Sequence, residues 1–188
     1  MKLKLKKINL KTIFYCLIIL SLLGIWQIGL GHSATSMTTP SPATDETVLD
    51  YKIKIPRIGI EAPVILNVDG NDKGTYLAAL ENGVAQLKGS AKPGEGSNIF
   101  IFGHSSYYPF VPGNFKNIFK NLPDLDNHDE IIITDSKKEF HYIITDIQVV
   151  YPDEVNVAAK TPSEQLTLMT CVPVGTNRQR LIIIAKPE

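Results

Sequence analysis

Short, β-branched apolar runs separated by turn-forming residues constrain this chain more than any other feature. Residues 52–56 (KIKIP) alternate polar and apolar side chains, and the pattern resumes near Ile58 to Ile60. Asn98 to Phe102 (NIFIF), Glu130 to Thr134 (EIIIT), Phe140 to Val150, Leu166 to Thr170 (LTLMT) and Leu181 to Ala185 (LIIIA) follow. Clusters of Gly, Pro, Asn and Asp punctuate them, as strands require. Helical signals are confined to Leu77–Asn82 and Phe115–Asn121. Many short strands with turn punctuation predict an all-β fold, a barrel or a sandwich. No internal repeat is present.

All these runs lie in residues 51–188, long enough for one core. The first fifty residues are different. Lys2, Lys4, Lys6, Lys7 and Lys11 crowd residues 1–11 with no acid, and Thr12 to Thr44 carry no charge at all. The whole chain balances 19 basic against 19 acidic residues; without those five lysines, 14 face 19, a balance of −5. The apolar run Ile13–Leu30 approaches the roughly 20 residues needed to cross a bilayer. Trp26 suits an interface, and the lysines predict a cytoplasmic N-terminus.

The expected organisation is a basic cytoplasmic tail (1–11), a transmembrane anchor (12–30), a Ser/Thr/Pro-rich flexible linker (31–50) and an extracellular body (51–188). His32 falls in the linker and reads as solvated. A cleaved signal peptide ending near Ala34-Thr35-Ser36 is the alternative. The apolar run is long for that, and either way the body is exported.

Cys16 lies in the span and Cys171 in the body, so the two cannot pair within one chain. Cys171 closes the strand LTLMT, where a thiol can meet a ligand; the plain alternative is an inert small hydrophobe. A reactive thiol needs a base or a cation nearby. His104 ends NIFIF and is the histidine best placed to serve. His128 sits in an acidic loop and reads as solvated; His141 lies inside an alternating strand and reads as structural. Of the arginines, Arg57 is remote in sequence. A hairpin turning at VPVGTN would return Arg178 or Arg180 to the thiol, able to hold a thiolate or a developing oxyanion.

Together these residues resemble the sortase family. Thr167-Leu168-Met169-Thr170-Cys171 matches its Thr-Leu-x-Thr-Cys signature. Pro173, Gly175, Asn177 and Arg180 before LIII match the turn and arginine that follow, and Gly103-His104 matches the family histidine. The segments IPRIGIEAPV and GVAQLKGSAKPGEGSNIFIFGHS resemble its opening strands and the approach to that histidine. The similarity covers 51–188.

The resemblance implies a closed barrel of about eight strands with a few short helices. It implies Cys171 as nucleophile, His104 as general acid/base and Arg180, which directly precedes its strand, as the transition-state arginine. One departure is Ser105-Ser106 after His104, where many members carry Arg or Asn. No apolar tail follows Ala185, which disfavours the pilin-polymerising class, and the short Cys171–Arg180 loop looks closer to class D or E.

The implied activity is cleavage of a Leu-Pro-x-Thr-Gly-like sorting signal between Thr and Gly through a thioacyl enzyme. The protein is then transferred to an amine such as a peptidoglycan precursor or a pilin lysine, with hydrolysis as a side reaction. The implied partners are surface-protein substrates, the amine acceptor and the membrane. No cofactor is expected, and no calcium ligand can be matched. The loop Tyr151–Gln165 is expected to wall the peptide groove.

Two other readings compete. Another Cys/His peptidoglycan transpeptidase would carry a Ser-x-Gly-Cys type motif, which Met169-Thr170-Cys171 does not fit. A tethered adhesion domain would leave Cys171 inert. A nucleic-acid role is excluded by the acidic body, which lacks a basic stripe.

Overall fold

The computed structural model describes residues 51–106, 113–136, 138–154 and 159–188. The tail 1–11, the anchor 12–30 and the linker 31–50 lie outside these residues. Among the described residues no helix is long and apolar enough to cross a membrane.

Eight strands form a closed barrel: β1 (Lys52–Ile55), β2 (Ile60–Val68), β3 (Val84–Leu87), β4 (Asn98–Phe102), β5 (Glu130–Thr134), β6 (Glu139–Val150), β7 (Gln165–Val172) and β8 (Gln179–Pro187). The order around the barrel is β1-β2-β3-β4-β7-β8-β6-β5, and β5 pairs back onto β1. Closure leaves no free sheet edge. Two pairs are parallel, β2/β3 and β4/β7; the others are antiparallel.

A parallel pair needs a crossover. The helix α1 (Lys73–Asn82) supplies the one between β2 and β3, and β5 and β6 intervene between β4 and β7. The Asp72 carboxylate caps α1 by accepting the Gly74 N–H and the Thr75 hydroxyl. Ala79 and Leu80 are its buried face.

Alternation fills the barrel. Ile53 and Ile55 point in from β1, Ile131 and Ile133 from β5, Leu166, Leu168 and Val172 from β7, and Leu181, Ile183 and Ala185 from β8. Each fully buried side chain of this size contributes roughly 1.5–3 kcal/mol. Phe119 and Leu122 enter the same core from the β4–β5 connection.

Three local expectations are corrected. Pro56–Ile58 is a single 3₁₀ turn, so β1 ends at Ile55 and a separate strand starts at Ile60. Pro56 sets a turn-compatible φ and cannot donate to a ladder. Phe115–Asn121 is a string of turns. Its amide bonds reach back three residues, Ile118 to Phe115, Lys120 to Asn117 and Leu122 to Phe119. Strand β3 escaped the pattern because Val84, Ala85 and Gln86 are all buried, which removes the alternation.

The β3–β4 and β6–β7 connections are bound together by Glu164. Its Oε2 accepts the Gly94 and Gly96 N–H groups at 2.9 and 3.1 Å, and its Oε1 accepts the Tyr142 hydroxyl at 2.8 Å. Burial and this carboxylate hold the Tyr142 phenol protonated, well above its ordinary pKa.

Candidate active site

The Thr-Leu-Met-Thr-Cys segment explains itself once its partners are seen. The Thr167 hydroxyl donates to Asn98 Oδ1 at 2.7 Å, and the Thr170 hydroxyl donates to the Gly103 carbonyl at 2.9 Å. All four residues are buried. The two threonines therefore clamp both ends of β4 against β7 and lock the register of this parallel pair. Losing such a bond while its partner stays buried costs about 1–3 kcal/mol.

The register decides what meets Cys171. Phe102 pairs with Met169, and the Gly103 N–H extends the ladder to the Met169 carbonyl at 3.2 Å. Continued by two residues, the register brings His104 level with Cys171. On the other side, Cys171 pairs directly with Arg180 across the antiparallel β7/β8 ladder. Inward-facing Val172 and Leu181 put Cys171 and Arg180 on the barrel's outer face. Directly opposed Cβ atoms lie about 4.5–5.5 Å apart. Cys171 and Arg180 thus stand on neighbouring strands, His104 lies two residues beyond the end of β4 at the same level, and each is half-buried.

Each flank of Cys171 is held in place. The His104 carbonyl accepts the Phe119 N–H at 2.9 Å. Gly103 must lack a side chain, because a Cβ there would stand 2.7 Å from the Phe119 ring. Burial pushes the His104 imidazole below its ordinary pKa of 6.5, which favours the neutral ring at pH 7. Arg180 Nη1 donates to the Asn177 and Gln179 carbonyls, both at 3.0 Å. No carboxylate pairs with Arg180 among the described residues.

Other charged residues stand apart. Arg178 is exposed in the turn, outside the β7/β8 register. Arg57 pairs with Asp126 and Asp129 at 3.6 and 3.9 Å. His128 is exposed in a loop with φ of 76°. His141 bonds Glu130 at 2.7 Å and lies nine positions along β6 from Val150, the partner of Arg180. At about 3.3 Å per residue that is roughly 30 Å away. With Glu188, His141 and Glu130 bring ligand-type atoms within 4.8 Å of one another, remote from Cys171.

The two serines after His104 have separate roles. The Ser106 hydroxyl accepts the Gly175 N–H at 2.9 Å, tying the His104 segment to the β7–β8 turn. Ser105 is buried, and its hydroxyl has no hydrogen-bond partner among the described residues. Sequence reading noted this pair as a departure without seeing either role. It also left unexplained the clamping by Thr170, which only its carbonyl partner reveals.

Comparison with known proteins agrees with this fold. The family model of the sortase domain matches residues 53–188. The chain belongs to the sortase family. Sortase A of Bacillus anthracis is 28% identical over 132 residues, 70% of this chain and 56% of that protein. The chain thus spans little more than half the length of that curated relative. Among solved structures, a lid mutant of sortase A from Corynebacterium diphtheriae superposes with a TM-score of 0.62 at 33% identity, covering 78% of this chain and 74% of the other. A Clostridium perfringens sortase D5 transpeptidase gives 0.60 at 28%, covering 74% and 79%. These sortases carry different subclass letters, so membership does not assign a subclass to this one.

Proposed function

We propose that this sortase is a membrane-anchored cysteine transpeptidase acting on surface proteins that carry a Leu-Pro-x-Thr-Gly-like sorting signal. The observation that carries the reading is Cys171 opposite Arg180 across β7/β8, with His104 two residues beyond β4 on the other side of β7.

His104, neutral at rest, accepts the Cys171 proton, and the sulfur attacks the carbonyl of the signal's Thr. Arg180 donates to the oxygen as negative charge develops there. The tetrahedral centre collapses, the C–N bond to Gly breaks, and the His104 imidazolium protonates the leaving amine. An acceptor amine then attacks the thioester and gives its proton to His104. The C–S bond breaks, and the proton returns to the Cys171 sulfur. Water in place of the amine gives slow hydrolysis.

The acceptor is a cell-wall or pilin amine. The five N-terminal lysines and the uncharged stretch after them support a single span with the barrel outside. Holding enzyme and secreted substrate in one layer raises their effective concentration. The short Cys171–Arg180 connection supports a class D or E assignment.

The test is incubation of the detergent-solubilised full chain with a Leu-Pro-x-Thr-Gly peptide and an amine. A Thr–amine product and a thioacyl adduct on Cys171, both lost in Cys171→Ala, are expected. Absence of both across varied signals refutes the reading.

A further inference from the structure

One hydrogen bond joins the two flanks of Cys171. Past Gly103 the chain leaves the β4/β7 ladder, and contacts from outside the sheet hold it. The Phe119 N–H reaches the His104 carbonyl and the Gly175 N–H reaches the Ser106 hydroxyl, each at 2.9 Å. Gly175 belongs to the β7–β8 turn and lies 69 positions from Ser106 in the chain.

That turn also holds the arginine. Gly175 has a φ of 87°, in the left-handed region that glycine adopts freely. Thr176 donates its N–H and its hydroxyl to the Pro173 carbonyl, at 2.9 and 2.8 Å. These bonds set the path of the turn toward Asn177, whose carbonyl accepts Arg180 Nη1 at 3.0 Å. A circuit therefore closes around the thiol. It runs from His104 to Ser106, across to Gly175, along the turn to Asn177, and on to Arg180 opposite Cys171.

We propose that Ser106 is a positioning residue for the transfer reaction. Through Gly175 it sets how His104 and Arg180 stand on either side of Cys171. The bond is exposed, so water can serve the Gly175 N–H when the hydroxyl is lost, and little stability goes with it. Rate is far more sensitive to placement: a misplacement of about 1 Å can cost on the order of 10²-fold. This inference rests on the transpeptidase reading and adds to it a residue outside the three reacting side chains.

The test compares the parent, Ser106→Ala and Ser106→Thr as detergent-solubilised full chains, well below their melting temperatures. Two rates are read: cleavage of a sorting-signal peptide, and alkylation by iodoacetamide at Cys171, located by mass spectrometry. The second needs no sorting signal. Ser106→Ala should lower kcat by roughly 5- to 30-fold, with KM and melting temperature close to the parent's. Alkylation at pH 7 should slow by roughly 3- to 10-fold, because the base that takes the thiol proton is displaced. The difference should shrink toward about pH 10, where a thiol ionises without help. Ser106→Thr keeps the hydroxyl and should restore both rates.

A parental value of either rate in Ser106→Ala, a raised KM with kcat kept, or a loss that Ser106→Thr does not restore overturns the inference. Each leaves the transpeptidase reading standing. A parent chain that cleaves no signal refutes that reading, and alkylation then decides alone whether Ser106 sets the surroundings of Cys171.

Discussion

Cys171 and Arg180 stand directly opposite each other across the β7/β8 ladder. They lie nine positions apart in the chain, and the hairpin folds that distance into one cross-strand pairing. The same register places Arg178 in the turn, where it cannot share the outer face with the thiol. The Asn177 and Gln179 carbonyls hold the Arg180 guanidinium.

Arg180→Ala is expected to lower kcat/KM for a sorting-signal peptide by roughly 10²–10³-fold, the usual cost of losing one preorganised oxyanion donor. Arg180→Lys should recover little, since an ammonium lacks the guanidinium fork. Arg178→Ala should remain close to the parent enzyme. Peptide cleavage assays decide, and equal losses at both positions would contradict the assignment.

Thr170→Val keeps the shape of the side chain but leaves the Gly103 carbonyl without its hydroxyl donor. We expect a stability loss of about 1–3 kcal/mol by denaturant unfolding. Activity should fall further than that loss explains, because His104 follows Gly103 directly. Thr170→Ser should restore both. A Val variant that loses stability alone would show that the clamp does not position His104.

Acidification should act oppositely through two histidines. Burial lowers the His104 pKa, so below about pH 6.5 the unfolded chain binds a proton that folded His104 resists, and stability falls as pH drops. The hydrogen bond that His141 donates to the Glu130 carboxylate raises the His141 pKa, so its contribution is full below about pH 6.5 and is lost as pH rises through the folded value. Compared with the parent, His104→Gln should melt relatively higher as pH falls from about 7 to 5, and His141→Gln relatively lower. Melting curves across that range check the signs.

Glu164→Ala removes the acceptor of two loop amides and the buried Tyr142 hydroxyl. A destabilisation of about 1–3 kcal/mol is expected from the orphaned phenol alone. The β6–β7 connection, held also by Asn98 Nδ2 on the Ala159 carbonyl at 3.2 Å, should loosen. Sorting-signal preference should shift with it, as a groove wall would require. Unchanged preference across a peptide panel would remove that connection from the groove.

Most strands were legible because period-two alternation is a local property. Ile53 and Ile55, or Leu181 and Ile183, announce one buried face without knowledge of any partner. Strand β3 was not legible, since a strand buried on both faces has no period. The stretch around Phe119 misled for the opposite reason. Phe115, Ile118, Phe119 and Leu122 have helical spacing, yet the turns there bury Phe119 and Leu122 without forming a helix.

As candidates, Cys171, His104 and Arg180 were readable in the chain, because reactive residue types at strand ends are few. Their alignment was not. His104 and Cys171 come level only because β4 and β7 pair in parallel, with β5 and β6 between them in sequence. That pairing depends on burial of both strands and on the Thr167 and Thr170 clamps to Asn98 and Gly103. Both are contacts between residues more than sixty positions apart. The tie between Ser106 and Gly175 has the same origin, joining the His104 segment to the β7–β8 turn. Local chemistry is written residue by residue, whereas register and loop-to-loop ties arise from long-range packing that no single segment encodes.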